Sequence, residues 1–133
     1  MSLTETVQKM YAAFGRGDIP AILAHLSPDV AWDATSTSTD VPWLQPRRGP
    51  AQVAQFFADL GALRFEKFQP TAILEHGHLA VALVDVVVVV KANGRRIVED
   101  DETHVFRFDA DGRVVQFRHR VDTHLQLQAW RGA

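Results

Sequence analysis

Leu79-Ala-Val-Ala-Leu-Val-Asp85-Val-Val-Val-Val-Val90 is the stretch whose reading decides the fold. Val and Leu dominate it, and β-branched residues favour extended backbone, so the run reads as a central, well-buried strand. It is too short to span a bilayer and it carries a carboxylate. An acid in such a strand is costly unless it is paired, hydrogen-bonded or protonated. Groups of that kind gather where proteins bind or react, which makes Asp85 the first candidate site residue.

The following sequence supplies its neighbours. Asn93-Gly94 is a two-residue hairpin signal. A tight turn there pairs Ala92 with Arg95 and, in the same register, Asp85 with Glu102 and Leu83 with His104. A second turn, Asp109-Ala-Asp-Gly112, leads into Arg113–Asp122 and sets Phe117 opposite His104 and His119 opposite Glu102. Side chains alternate across a strand, so Asp85, Glu102, His104, Phe106, Phe117 and His119 are expected on one face. Val84, Val86, Val88 and Val90 then fall on the other face, which is apolar and needs cover; a second copy of the chain is the simplest cover. A one-residue slip in either turn would exchange the two faces.

Upstream the pattern changes to helical. Ser2-Leu-Thr-Glu5 matches a capping box, and Leu3, Val7, Met10 and Phe14 follow at helical spacing. Asp18 is placed to cap a second helix that ends at Ser27-Pro28, and Val30–Asp33 reads as a short strand. Thr35–Pro46 reads as a loop carrying Trp43. Gly49-Pro50 opens a third helix with Val53, Phe56, Phe57 and Leu60 on its apolar stripe. Strands are expected at Arg64–Phe68, Thr71–His76, Leu79–Lys91, Arg95–Phe108 and Arg113–Asp122. Helices followed by an antiparallel meander predict one α+β domain over residues 1–133.

Composition narrows the function. The 133 residues are 47% hydrophobic, enough for a real core, and the net charge of −2 with scattered Lys and Arg argues against nucleic acid as a partner. With no cysteine, no disulfide, zinc-thiolate site or cysteine redox motif is possible. No signal-peptide or membrane-spanning pattern stands out, so a cytoplasmic protein with no membrane partner is expected.

Several motifs carry a family likeness. Val7-Gln-Lys-Met-Tyr-Ala-Ala-Phe-Gly-Arg-Gly-Asp18, Leu26-Ser-Pro-Asp-Val-Ala-Trp32, Arg48-Gly-Pro, His104-Val-Phe-Arg-Phe-Asp-Ala-Asp-Gly-Arg-Val114 and Arg120-Val-Asp-Thr123 together resemble SnoaL-like proteins. These belong to the nuclear-transport-factor-like superfamily, with the ketosteroid isomerases and limonene-type epoxide hydrolases. The resemblance implies a conical barrel: a strongly bent antiparallel sheet packed on three N-terminal helices, with a pocket inside the cone and homodimers common. It is specific for fold and weak for activity. The isomerases' Tyr, base and acid-donor positions fall at Met10 (beside Tyr11), about Ala34 (beside Asp33) and His104, so steroid isomerisation is not implied. Arg120-Val-Asp122 has the local spacing of the epoxide hydrolases but no later acid. SnoaL-type cyclases place a histidine on the penultimate strand and an acid/base group on the last; His104 and His119 take those places, with His119 standing where the family carries Asp.

The expected chemistry is proton transfer. Asp85 or Glu102 orients His104, and His119 takes or returns a substrate proton in a cofactor-free isomerase, cyclase or dehydratase. Tyr11, Trp32, Trp43, Phe57, Phe106 and Phe117 are expected to line a cavity for an apolar small molecule, Trp43 as a lid over its mouth or, alternatively, as a dimer contact. The plainer reading is a polar network that satisfies itself inside a non-catalytic binding domain, or an interaction domain using the sheet face. The four acid/base side chains also have donor atoms for zinc or iron, but their spacing matches no metal motif, so no metal and no cofactor is expected. Asp122 reads as a surface or interface ion pair with Arg118 and Arg120.

Overall fold

Ser2 starts the first helix as the sequence indicates. Its Oγ accepts from the Glu5 N–H at 3.1 Å and caps α1 (Leu3–Gly15), which buries Val7, Met10 and Ala13. Asp18 caps α2 (Ile19–Leu23) by accepting from the Ala21 N–H. That helix is shorter than expected, because Leu26–Trp32 forms strand β1. Pro28 is tolerated there: it lies in the gap between the paired positions Leu26 and Ala31, where no ladder N–H is needed. The computed structural model describes residues 1–38 and 40–132.

A 3-10 turn at Pro42–Leu44 and the short strand β2 (Arg47–Arg48) lead to α3 (Gly49–Asp59). Gly49 has φ +79°, and a Cβ there would sit 3.3 Å from the Pro28 carbonyl, so the helix opens on the residue that fits. β3 (Leu63–His76), β4 (Leu79–Val90), β5 (Arg96–Phe108) and β6 (Val114–Arg120) form the meander. β3 is one strand rather than the expected two, with irregularities at Phe65/Lys67 and Pro70/Ala72.

The sheet runs β2-β1-β6-β5-β4-β3 and curls without closing. The expected α+β architecture is borne out, with two refinements. β1 and β6 are parallel, so the sheet is not wholly antiparallel. The C-terminal tail forms a fourth helix, α4 (Thr123–Arg131), which Asp122 caps by accepting from the Leu125 N–H at 3.0 Å. Asp122 is therefore a cap and not the ion-pair partner of Arg118 and Arg120. No described helix is long and apolar enough to cross a membrane.

The register of the β4–β5 hairpin overturns the expected place of Asp85. The turn spans Lys91–Gly94: Val90 N–H donates to Arg95 O and Gly94 N–H donates to Val90 O, each at 2.8 Å. Val89 then pairs with Arg96. A bulge follows, so that Val86 faces Glu99 and Val84 faces Glu102, with Asp101 in the left-handed region at φ 57°. Val84, not Asp85, is thus opposite Glu102. Val84, Val86, Val88 and Val90 are buried in the core and do not form the outer face. Asp85 lies on the outer face, where it accepts from the Asp101 N–H at 3.1 Å and meets Lys67 Nζ at 3.9 Å. Across β5 and β6 the register differs from the expected one by two residues, with His104 opposite His119 and Phe106 opposite Phe117. An even slip keeps the face, so Glu102, His104, Phe106, Phe117 and His119 still share one side.

Substitution tests this register. Val84→Asp strands a carboxylate in the core and should cost at least about 3 kcal/mol. Asp85→Asn keeps an acceptor for Asp101 on a solvated face and should cost less than about 1 kcal/mol. Urea denaturation of both variants measures the difference, and the opposite ranking would return Asp85 to the interior.

Candidate active site

Helices α1, α3 and α4 and the inner face of the sheet enclose a cavity of about 100 Å³. Tyr11, Trp32, Trp43, Phe57, Phe106 and Phe117 all lie in its wall, together with Glu102, His104 and His119. Asp85 does not. Trp32 stacks on Phe117 with ring centroids 3.9 Å apart, and its indole N–H is buried without a hydrogen-bond partner among the described residues. Trp43 is fixed rather than loose. Its Nε1 donates to Gln126 Oε1 at 2.7 Å, and its ring meets Trp130 edge-on. Gln126 Nε2 donates in turn to Glu99 Oε1 at 3.2 Å, which also accepts from the Asp122 N–H at 2.9 Å. The loop, α4 and β5 are thereby joined through one buried polar chain.

His104 has both ring nitrogens engaged. Nε2 lies 2.6 Å from Glu102 Oε2, and Nδ1 lies 2.7 Å from the Tyr11 hydroxyl. Burial, with the Glu102 charge adding to it, raises the Tyr11 pKa, so the phenol keeps its proton and donates to Nδ1. Nε2–H then donates to the Glu102 carboxylate, which makes His104 the centre of a Tyr–His–Glu row. Glu102, not Asp85, is the carboxylate that orients it.

His119 is held by a residue outside the expected set. Asp33 follows β1 with φ 52° and donates its N–H to Phe117 O at 2.8 Å. That turn brings its carboxylate across the end of β6. Oδ1 accepts from the His119 N–H at 2.8 Å and Oδ2 lies 2.5 Å from His119 Nδ1. Both side chains are buried. Burial opposes charge on His119, but the Asp33 charge and hydrogen bond outweigh it, and Glu102 and Glu99 add to the effect, so the pKa is raised. With Nδ1 donating to Asp33, no described protein group bonds the other ring nitrogen, Nε2. The two histidine rings stand 6.4 Å apart. A second cavity, about 480 Å³, shares His119 and adds Asp33 and the hydroxyl-bearing residues Thr35–Ser38.

Asp33 left a trace in the sequence: an acid directly after the first short strand, beside the isomerases' base position. Glu99 left none that an alternating pattern could show, since the bulge alone brings it inside. Among the described residues, no three His, Asp or Glu side chains are grouped to hold a metal ion.

Known families settle the fold's kinship. The family model for the SnoaL-like domain matches residues 7–117. This chain belongs to the SnoaL-like family. Solved structures agree. An NTF2-like protein of unknown function from Burkholderia pseudomallei is 30% identical, with 97% of this chain and 98% of that one covered at a TM-score of 0.80. TerC, co-crystallized with polyporic acid, is 22% identical over 97% and 98% of the two chains, with a TM-score of 0.81. A candidate polyketide cyclase from Pseudomonas putida is 24% identical over 97% and 98%, with a TM-score of 0.73. No curated protein matches the chain. Within this SnoaL-like fold, the histidines of β5 and β6 are the paired polar centres of the cavity wall.

The Asp33–His119 pair makes stability depend on pH with a definite sign. A histidine whose pKa is raised by folding contributes stability in full below its unfolded value of about 6.5 and loses it as pH rises through the folded value. The urea midpoint of the wild type should therefore fall as pH rises above 6.5, more steeply than that of Asp33→Asn. The His119 ring titration, followed by NMR, should move to lower pH in that variant. Asp33→Ala, which leaves the imidazole unpaired, should cost about 3 kcal/mol at pH 6.

Proposed function

We propose that this SnoaL-like domain is a cofactor-free acid–base catalyst, an isomerase, cyclase or dehydratase, acting on a small, largely apolar molecule held in the cavity. One observation carries the reading: Asp33 fixes His119 through Nδ1 at 2.5 Å and leaves Nε2, at the cavity wall, without a partner among the described residues. A histidine in that state gives a proton to a substrate atom and takes one back, while the carboxylate holds its tautomer and steadies its charge. The Tyr11–His104–Glu102 row is the second polar centre within reach of the same ligand. The buried Trp32 N–H is a donor that a ligand oxygen would satisfy. Two neighbours of the same fold, the candidate cyclase and TerC with its polyporic acid, support ring compounds as the ligand class.

A binding domain without chemistry is the second reading. It is favoured by His104, whose two ring nitrogens are both satisfied within the protein. A thermal-shift screen against aromatic polyketides, terpenes and steroids first identifies a ligand, since native-state binding raises the melting temperature. Wild-type protein should convert that ligand. His119→Ala should slow the conversion by about 10²–10⁴-fold with binding retained. A bound ligand that the wild type leaves unchanged would establish the binding reading instead.

The proposal extends to a homodimer through the outer sheet face. Leu74 and Val98 are 66% and 52% exposed there, beside half-buried Val81, Leu83, Val87 and Val105. Sedimentation should show a dimer for the wild type and a shift toward monomer for Val98→Glu.

A further inference from the structure

We propose that the second cavity, between the loop after β1, the end of β6 and the start of α4, is a site for an oxyanion: the carboxylate or phosphate group of a small organic acid. Its anchoring groups are not those of the proton-transfer reading, so the two stand or fall separately.

The first observation is the charge of the wall. Arg118 and Arg120 bring two guanidinium groups to it, against one carboxylate, Asp33. A guanidinium keeps its charge at any pH the fold meets. Asp33 is already engaged: His119 occupies both its oxygens, through the backbone N–H at 2.8 Å and Nδ1 at 2.5 Å. No other acid lines this cavity among the described residues. The wall is therefore positive in a chain whose net charge is −2.

The second is the state of Arg118. The residue is half-buried, and its Nε is buried with no hydrogen-bond partner among the described residues. Across the ladder Arg118 faces Val105 and Arg120 faces Thr103, so β5 sets no acid directly opposite either one. Asp122, the acid nearest in sequence, caps α4 instead. Neither guanidinium has an ion-pair partner among the described residues. A buried donor on a charged group is costly when left unpaired. A carboxylate or phosphate is its strongest complement, because two acceptor oxygens match the guanidinium fork.

The third is the supply of neutral donors. Thr35, Thr37 and Thr123 bring hydroxyls that have no partner among the described residues. The nine-residue α4 also begins here. Asp122 takes the Leu125 N–H and Glu99 takes that of Asp122, which leaves the Thr123 and His124 N–H groups free at the helix start. At about 480 Å³ the cavity has room for a ring or short chain behind the acid group. His119 stands in the walls of both cavities, so an acid held here lies beside the group proposed to move the proton.

Benzoate, phenyl phosphate and benzyl alcohol share one ring and differ in the group it carries. Each is titrated calorimetrically into the full chain at pH 7. At least one of the acids should bind at least about tenfold tighter than the alcohol, as one charge-assisted pair provides. The tighter acid tells carboxylate from phosphate. Arg118→Gln should weaken that acid by at least about tenfold. If that variant does not fold, Arg120→Gln should weaken it by at least about threefold, less because this arginine is exposed and screened. Amide NMR shifts on binding should appear at Thr35–Ser38 and His124, and not at Met10 or Phe106 of the first cavity. Equal binding of the alcohol overturns the site, as does an acid affinity unchanged in the arginine variant that folds. Shifts confined to the first cavity overturn it too. Heat from none of the three probes also overturns it, and would assign the completion of Arg118 to a second copy of the chain. Each of these results leaves the acid–base reading standing, because that reading is scored by turnover and by the His119 titration.

Discussion

The bulge at Asp100–Asp101 decides what the cavity contains. Asp101 adopts φ 57°, and the β4–β5 pairing steps from Val86/Glu99 to Val84/Glu102 across it. Without that step, strict alternation from Glu99 would turn Glu102 and His104 outward. With it, Glu99, Glu102 and His104 all lie in one wall. Left-handed backbone at a non-glycine residue is strained and persists only where its surroundings support it. Asp85 supplies support by accepting the Asp101 N–H from the adjacent strand. The acid that breaks the valine run thus acts on the site from outside, by holding the backbone that shapes it.

The inner wall divides its polar groups into two kinds. His104 is closed, with a partner on each nitrogen. His119 is half open, with its charge stabilised from behind by Asp33. A strand ladder could not provide that arrangement. Asp33 leaves the extended path after Trp32, and its side chain takes the place of a backbone acceptor for the His119 N–H. The parallel pairing of β1 with β6 is what brings the two residues together.

Much of the site was legible because an error of two residues is invisible to a face argument. The β5–β6 register differed from the expected one by two, and every side chain kept its side. The β4–β5 register failed because Asn93-Gly94 closes a four-residue turn rather than a two-residue one, an even shift, and the bulge at Asp100–Asp101 then adds an odd step that leaves Asp85 on the face opposite to that of Glu102. Local signals served well where chemistry is local: Ser2, Asp18 and Gly49 start their helices as read. They failed where tertiary context rules. Leu26–Trp32 is strand because β6 pairs with Leu26 and with Ala31 and Trp32, and α4 is helical in a segment whose order the sequence left open. Asp33 escaped notice because its partner lies 86 positions away.

The edge strand β3 has a consequence for solubility. An unclosed sheet leaves exposed backbone donors and acceptors, a template for runaway strand pairing. Here Pro70 removes one donor, two irregularities interrupt the spacing, and Arg64, Glu66 and Lys67 put charge along the same stretch. Glu66 is held between Arg64 and Arg96 at 3.2 and 2.8 Å, which keeps that charge at the rim. A second chain therefore finds a poor template along this edge. Fibre-like extension of the sheet is disfavoured at the strand that offers the longest run of free backbone, without any element covering it.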